Sequence, residues 1–133
     1  MAFADTFYFV AVLNPEDQHH VRACQLQEEH DFDLVTTRAV LLEVGDAFAD
    51  ASTRGLAAEL LHSVEADPRV EIVSLDDALY RRGLELYVDR PDKSWSLTDC
   101  ISFVVMTDRG LSDALTGDRH FAQAGFVPLL AQV

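Results

Sequence analysis

Positive charge is scarce in this chain. Only 10 residues are lysine or arginine, against 23 aspartates and glutamates, so the formal net charge is −13. A protein that binds nucleic acid through a broad basic surface is expected to show the opposite balance. A polynucleotide ligand would therefore have to be attracted by bound divalent cations or by a local cluster of arginines. Most of the carboxylates are expected to be solvated surface charge.

Cysteines and long apolar runs are also scarce. Cys24 and Cys100 lie far apart in the sequence and lack the spacing of a zinc site, so we expect two reduced thiols in or near the core. No apolar run approaches the length that spans a bilayer, and the first residues lack the basic start and the cleavage site of a signal peptide. We therefore expect a cytoplasmic protein with no membrane partner.

Several widespread catalytic motifs are missing as well. The sequence contains no Gly-rich phosphate loop, no GxSxG elbow and no HExxH pair, so it offers no sign of the chemistry that those motifs support. A phosphoacceptor receiver domain would need an acidic pair beside the first strand and a lysine late in the chain. The one lysine, Lys93, lies in a polar loop and does not meet that requirement.

The residues that are present predict one α/β domain over residues 1–133. A chain of 133 residues, 49% of them apolar, is long enough for a single core. Short apolar runs alternate with segments of helical periodicity, which is typical of a mainly parallel sheet with right-handed crossovers. Strands are predicted at 2–4, 33–36, 70–73, 111–116 and 125–130. Helices are predicted at 5–13, 18–30, 37–50, 53–66, 76–89, 96–106 and 119–124.

Helical spacing also predicts which side chains face the core. In the helix at 37–50 these are Val40, Val44 and Phe48. In the helices at 18–30 and 53–66 the inward positions are expected to be Val21, Cys24, Leu26, Leu56, Leu60 and Val64.

Two aspartates stand where predicted strands end. Asp5 separates the first apolar run from the first helix, and Asp118 follows the strand at 111–116 through the turn at Gly117. In open parallel sheets, ligands bind at the carboxyl ends of the strands. Asp5 could instead simply cap the helix that follows it. Asp118 opens a short helix and repeats the arrangement of Asp5, so both are candidates for a site.

Two further acids belong to helices. Glu43 lies beside the buried face of its helix, between Ala39 and Ala47, which leave space around it. Its alternative is a half-exposed position on the helix flank. Asp99 stands three residues after Ser96, which is the spacing of a capping box at a helix start. The two roles of Asp99 are compatible, because a capping carboxylate keeps an oxygen lone pair for a cation.

Four carboxylates meeting at one edge of a sheet would repel each other strongly. Without compensation some would take up protons, at raised pKa values. Hard divalent cations relieve such repulsion, and oxygen-rich sites suit Mg²⁺ or Mn²⁺. Ions of this kind can neutralise a phosphodiester and activate water, so the pattern favours metal-assisted hydrolysis.

The pattern as a whole resembles a PIN domain, in particular the VapC type of toxin ribonuclease. The resemblance covers essentially the whole chain. It depends on residues 4–6 with the helix after them and Asn14-Pro15, and on residues 37–44, 95–100 and 114–121. Each piece alone is weakly specific, but their order and spacing together are quite specific.

The resemblance implies a three-layer α/β/α fold and cleavage of single-stranded or structured RNA that depends on Mg²⁺ or Mn²⁺. Asp5, Glu43, Asp99 and Asp118 match the acidic metal-site positions of the family, which are also its catalytic positions. Asp5 and Asp99 would be the principal ligands, while Glu43 and Asp118 would complete the cluster directly or through water. Two hydroxyl positions near the site match Thr6 and Thr116.

The resemblance also implies partners. Members of the family often form homodimers and pair with a small antitoxin, which typically reaches into the acidic pocket with a basic residue. Candidate contacts to RNA phosphates are Arg38, Arg81, Arg82 and Arg119. The alternative function is a catalytically silent PIN-like module that binds RNA or protein.

Overall fold

A computed structural model describes residues 1–29, 31 and 33–131. Within these residues one five-stranded sheet runs through the middle of the molecule, in the order β3-β2-β1-β4-β5. The strands are β1 (Ala2–Ala4), β2 (Leu34–Thr37), β3 (Val70–Val73), β4 (Asp113–Leu115) and β5 (Val127–Pro128). Every neighbouring pair is parallel. The predicted three-layer α/β fold with a parallel sheet is confirmed.

Helices connect the strands and cover the sheet. They are α1 (Thr6–Leu13), α2 (His20–Glu29), α3 (Arg38–Ala47), α4 (Arg54–Ala66), α5 (Asp77–Asp89), α6 (Leu97–Arg109) and α7 (Arg119–Gln123). The end of the second predicted helix, His30, lies outside the described residues. None of the described helices combines the length and the apolar composition needed to cross a membrane.

The strand order places a topological switch beside β1. β2 and β3 follow β1 in the chain and lie on one side of it, whereas β4 and β5 lie on the other side. β1 therefore pairs with β2 on one side and with β4 on the other. In doubly wound sheets, ligands bind outside the carboxyl ends of the strands at such a reversal.

The core is built around β1 and α6. All three residues of β1 are buried, and every residue of α6 from Asp99 to Met106 is buried as well. Aromatic rings join α6 to α7 and to the loop before it, since Phe103 meets Phe121 and Trp95 edge to face, at centroid distances of 4.9 and 5.0 Å. This packing fixes the helix starts that face the end of β1.

Some predictions of buried positions were right and some were wrong. Val40, Val44 and Phe48 are buried as predicted. Val21 and Leu56, however, are 67% and 51% exposed, and Ala23 and Ala57 take the contact positions on α2 and α4. The reason is that alanine lets two elements approach closely, whereas a larger side chain at the contact would hold them apart.

Other boundaries differ from the predicted ones at the edges of the fold. The last strand is only Val127–Pro128, although the Leu129 backbone N–H still donates to the Ala114 carbonyl at 2.9 Å. The helix predicted to reach residue 50 ends at Ala47. Cys100 is buried and Cys24 is half-buried, and both are free, as predicted.

The contact between α5 and α6 gives a test of the packing. A Cβ added at Gly83 would lie 2.5 Å from Ile101 Cγ1, whereas one added at Gly55 in α4 would meet nothing within 4 Å. We expect Gly83→Ala to lower the free energy of unfolding by about 1–3 kcal/mol through overpacking. We expect Gly55→Ala to raise it by up to about 1 kcal/mol, because alanine is the better helix former.

Urea denaturation followed by circular dichroism measures both values. Equal stabilisation by the two substitutions would contradict the close α5–α6 packing.

Candidate functional site

A cleft of about 350 Å³ opens at the carboxyl ends of β1 and β4, where the strand order reverses. Its lining brings together all four carboxylates that the sequence predicted for one site. The residues around it are Asp5, Thr6, Phe7, Glu43, Ser94, Ser96, Asp99, Asp118 and His120. They come from four separate parts of the chain, so the cleft exists only in the folded protein.

Asp5 lies at the floor of the cleft, directly after β1. Its side chain is not hydrogen-bonded to the start of α1, so the simple capping role is not realised. Instead its Oδ2 accepts a hydrogen bond from the Thr116 hydroxyl at 2.8 Å. The residue is only 5% exposed. A carboxylate at a helix start that does not cap the helix is available for another partner.

Burial makes the charged form of Asp5 costly. It raises the pKa of this carboxyl from 3.8 to about 7, with smaller upward contributions from the nearby charges of Asp99 and Asp118. The hydrogen bond from Thr116 lowers the pKa but does not cancel the effect of burial. A cation beside Asp5 would favour the ionised form and reverse the shift.

Thr116 links the two strand ends that border the cleft. Besides donating to Asp5, its hydroxyl oxygen accepts the backbone N–H of Asp118 at 3.1 Å. The backbone N–H of Asp5 in turn donates to the Leu115 carbonyl at 3.3 Å. One fully buried threonine therefore sets the position of Asp5 relative to Asp118.

Asp99 lies in the first turn of α6 and lines the cleft. The predicted capping box is confirmed: the Ser96 backbone N–H donates to Asp99 Oδ2 at 3.2 Å, and the Asp99 N–H donates to Ser96 Oγ at 3.0 Å. The residue is 9% exposed, and burial raises its pKa, with the charge of Asp118 adding to the effect. Among the described residues no donor contacts Oδ1, so one oxygen of the capping carboxylate can accept a cation.

Glu43 enters the cleft from α3. Its Oε1 accepts a hydrogen bond from the Thr6 hydroxyl at 2.5 Å. The helix itself starts at Thr37, whose side chain accepts the Val40 N–H. The two threonines that were predicted as hydroxyl positions, Thr6 and Thr116, each hold one of the four carboxylates. Glu43 thus combines its half-exposed flank position with an orientation into the cleft.

His120 lies beside the acids, and the sequence reasoning gave it no role. Asp118 caps α7 by accepting the His120 N–H at 2.9 Å. The imidazole Nδ1 is 3.1 Å from Asp99 Oδ2 and 3.4 Å from Asp118 Oδ1. One ligand atom from each of these three residues lies within 4.8 Å of the other two. The signal that could have identified it is its place two residues after a strand-end aspartate, in the same helical turn.

No lysine or arginine of the described residues lines the cleft. Of the candidate phosphate contacts, Arg38 pairs with Glu65 and Arg82 pairs with Asp108, both at the surface. Arg119 is exposed and lies in the chain between two residues of the cleft, Asp118 and His120. The negative charge of the cleft is therefore not neutralised by lysine or arginine from the described part of the chain.

Comparisons with known proteins give one consistent result. The model of the PIN domain family matches residues 2–127. The 23S rRNA-specific endonuclease VapC20 of Mycobacterium tuberculosis is 30% identical over 128 residues, which is 96% of this chain and 96% of that one.

Solved structures agree with the sequence relatives. The crystal structure of Mycobacterium tuberculosis VapC20, described as a Sarcin-Ricin loop cleaving toxin, matches with a TM-score of 0.88 and 26% identity, over 97% of this chain and 98% of that one. FitAcB from Neisseria gonorrhoeae matches with a TM-score of 0.66 at 18% identity, over 96% of this chain and 95% of that one. The second likeness shows the shared fold alone.

The raised pKa of Asp5 predicts an unusual dependence of stability on pH. Between pH 4 and 7 the folded protein holds a proton at Asp5 that the unfolded chain releases, so metal-free wild type loses stability as pH rises. Asp5→Asn has no such proton. We expect the free energy of unfolding of the variant to rise relative to that of wild type as pH rises. Above pH 7 the change is on the order of 4 kcal/mol, at about 1.4 kcal/mol per pKa unit.

Urea unfolding in the presence of a chelator at several pH values measures this difference. A difference between Asp5→Asn and wild type that stays constant from pH 4 to 8 would contradict it.

Proposed function

Because the chain belongs to the PIN domain family, we propose that it is a metal-dependent endoribonuclease, the toxin of a toxin–antitoxin pair. The observation that carries the proposal is the meeting of Asp5, Glu43, Asp99 and Asp118 in one cleft at the switch point of the sheet. Residues 1–133 would form a single PIN domain. The reaction is hydrolysis of an RNA phosphodiester bond.

The donor set of the cleft fits a hard divalent ion. The four acids offer oxygen atoms, and no lysine or arginine of the described residues lines the cleft to compete with an ion. Asp5 in particular is buried, and burial raises its pKa to about 7, so a cation beside it would favour the ionised form. Asp5 and Asp99 would be the principal ligands of Mg²⁺ or Mn²⁺, with Glu43 and Asp118 completing the set.

When bound, such an ion neutralises phosphate charge and lowers the pKa of water. The protein's own part is to hold the reacting groups in place. Thr116 and Thr6 fix the oxygens of Asp5 and Glu43, and Ser96 fixes Asp99. Groups fixed before the substrate arrives need little reorganisation during the reaction, which is where most catalytic advantage arises.

RNA is the proposed substrate because VapC20, at 30% identity, is named as acting on 23S rRNA. The acidic chain would meet the phosphates through the ion and through Arg81 and Arg119, which form no ion pair with any described residue. We propose a homodimer and a cognate antitoxin that offers a basic residue to the cleft, since opposite charge favours that contact. A site of action in the cytoplasm fits an RNA substrate.

Replacing single carboxylates tests the catalytic role. We expect Asp5→Asn and Asp99→Asn to slow Mg²⁺- or Mn²⁺-dependent cleavage at least about a hundredfold, because each removes several kcal/mol of metal-assisted stabilisation. Cleavage of radiolabelled 23S ribosomal RNA measures this, with circular dichroism as the check of folding. The control is Asp113→Asn, an exposed acid at the opposite end of β4.

Full activity of Asp5→Asn, or an equal loss in Asp113→Asn, would reject the proposed role of the cleft.

Metal titration separates the nuclease from a silent binding module. An ion that binds only the folded protein stabilises it by mass action, by about 2.7 kcal/mol when its concentration is 100 times the dissociation constant. We therefore expect millimolar Mn²⁺ or Mg²⁺ to raise the melting temperature of wild type and to leave that of Asp5→Asn/Asp99→Asn almost unchanged. No shift in wild type would favour the silent module.

A further inference from the structure

His120 contributes a nitrogen atom to a cleft whose other donors are oxygens. Its Nδ1 faces Asp99 Oδ2 at 3.1 Å and Asp118 Oδ1 at 3.4 Å. Two neighbouring ligands of an octahedral ion, each about 2.1 Å from the metal, stand about 3 Å apart. The two distances from Nδ1 are close to this value, and one ligand atom from each of the three residues lies within 4.8 Å of the other two. The three residues can therefore share one ion.

The backbone of His120 is also held in place. The His120 backbone N–H donates to Asp118 Oδ1, which fixes the residue at the start of α7. The next residue, Phe121, is fully buried and packs against Phe103 of α6 and Phe3 of β1. Only 19% of the His120 side chain is exposed. A ring fixed in this way loses little freedom when it binds an ion.

We propose that His120 Nδ1 is a ligand of the metal ion together with Asp99 and Asp118, so that the centre is a mixed nitrogen–oxygen site. The inference rests on the proposed function, since it concerns the ion of that same cleft. Imidazole nitrogen suits transition-metal ions, whereas Mg²⁺ prefers oxygen. His120 therefore shifts the selectivity of the cleft from Mg²⁺ towards Mn²⁺.

The substitution His120→Asn distinguishes a metal ligand from a residue that only positions Asp99. The amide of asparagine can replace Nδ1 as a hydrogen-bond donor to Asp99, but it is a poor ligand for Mn²⁺. If His120 only positions Asp99, His120→Asn keeps that contact and changes the binding of both ions alike or not at all. If His120 is a ligand, the substitution acts on Mn²⁺ selectively. The matched control is His62→Asn, at an exposed position of α4.

Calorimetric titration of the full chain with Mn²⁺ and with Mg²⁺ measures the selectivity. We expect His120→Asn to weaken Mn²⁺ binding about tenfold or more. We expect it to change Mg²⁺ binding by no more than about twofold, because oxygen ligands supply most of that affinity. His62→Asn is expected to match wild type for both ions. An equal loss for the two ions, or no loss, would overturn the proposal.

Pulsed electron paramagnetic resonance gives a second readout that does not depend on affinity. A directly bound imidazole adds a ¹⁴N modulation to the spin echo of Mn²⁺, and we expect it in wild type and in His62→Asn but not in His120→Asn. Wild type that binds Mn²⁺ without this modulation would overturn the inference and leave the proposed function intact. Wild type that binds neither ion would overturn the proposed function itself.

Discussion

The cost of burying carboxylates in one cleft, to which their mutual repulsion adds, is the constraint to which the rest of the molecule is fitted. Asp5 and Asp99 are almost fully buried, and burial raises the pKa of both. In the described part of the chain, hydroxyl and backbone N–H donors stabilise these carboxylates, and no lysine or arginine lines the cleft. Thr116 donates to Asp5, Thr6 to Glu43 and the Ser96 backbone to Asp99. Each donor orients an oxygen and leaves the net charge of the cleft in place.

The sheet explains how such distant residues come to meet. β1 lies between β2 and β4, so the strands that follow β1 are added first on one side of it and then on the other. The reversal leaves space beyond the end of β1 that neither crossover helix fills. Asp5 follows β1, Asp118 follows β4 by a short turn, and α6 brings Asp99 to the same edge. Burial of α6 against the sheet keeps that helix start where the cleft requires it.

Much of the fold and of the cleft could be predicted from the sequence because both follow from local signals. Asp5 and Asp118 stand at strand ends, and parallel strand ends share one edge of a sheet. Ser96 and Asp99 have the spacing of a capping box, which is independent of tertiary structure. The choice between Val21 and Ala23 as the buried residue of α2 was predicted wrongly, because it depends on how closely a neighbouring element approaches. His120 was missed for a similar reason: only the packing of α7 against α6 turns its ring towards Asp99.

Trp95 is the only tryptophan of the chain, and it stands immediately before Ser96, the N-cap of α6. Its ring packs against Phe103, its Nε1–H donates to Gln123 at 3.0 Å, and Arg90 lies 5.2 Å above its centre. Trp95 does not line the acidic cleft itself, but its two neighbours in the chain, Ser94 and Ser96, do. All of the intrinsic indole emission of the protein therefore arises from the loop that borders the cleft. A molecule or ion that shifts this loop would change the contacts of the indole with Phe103, Gln123 and Arg90, and with them the wavelength or quenching of its emission.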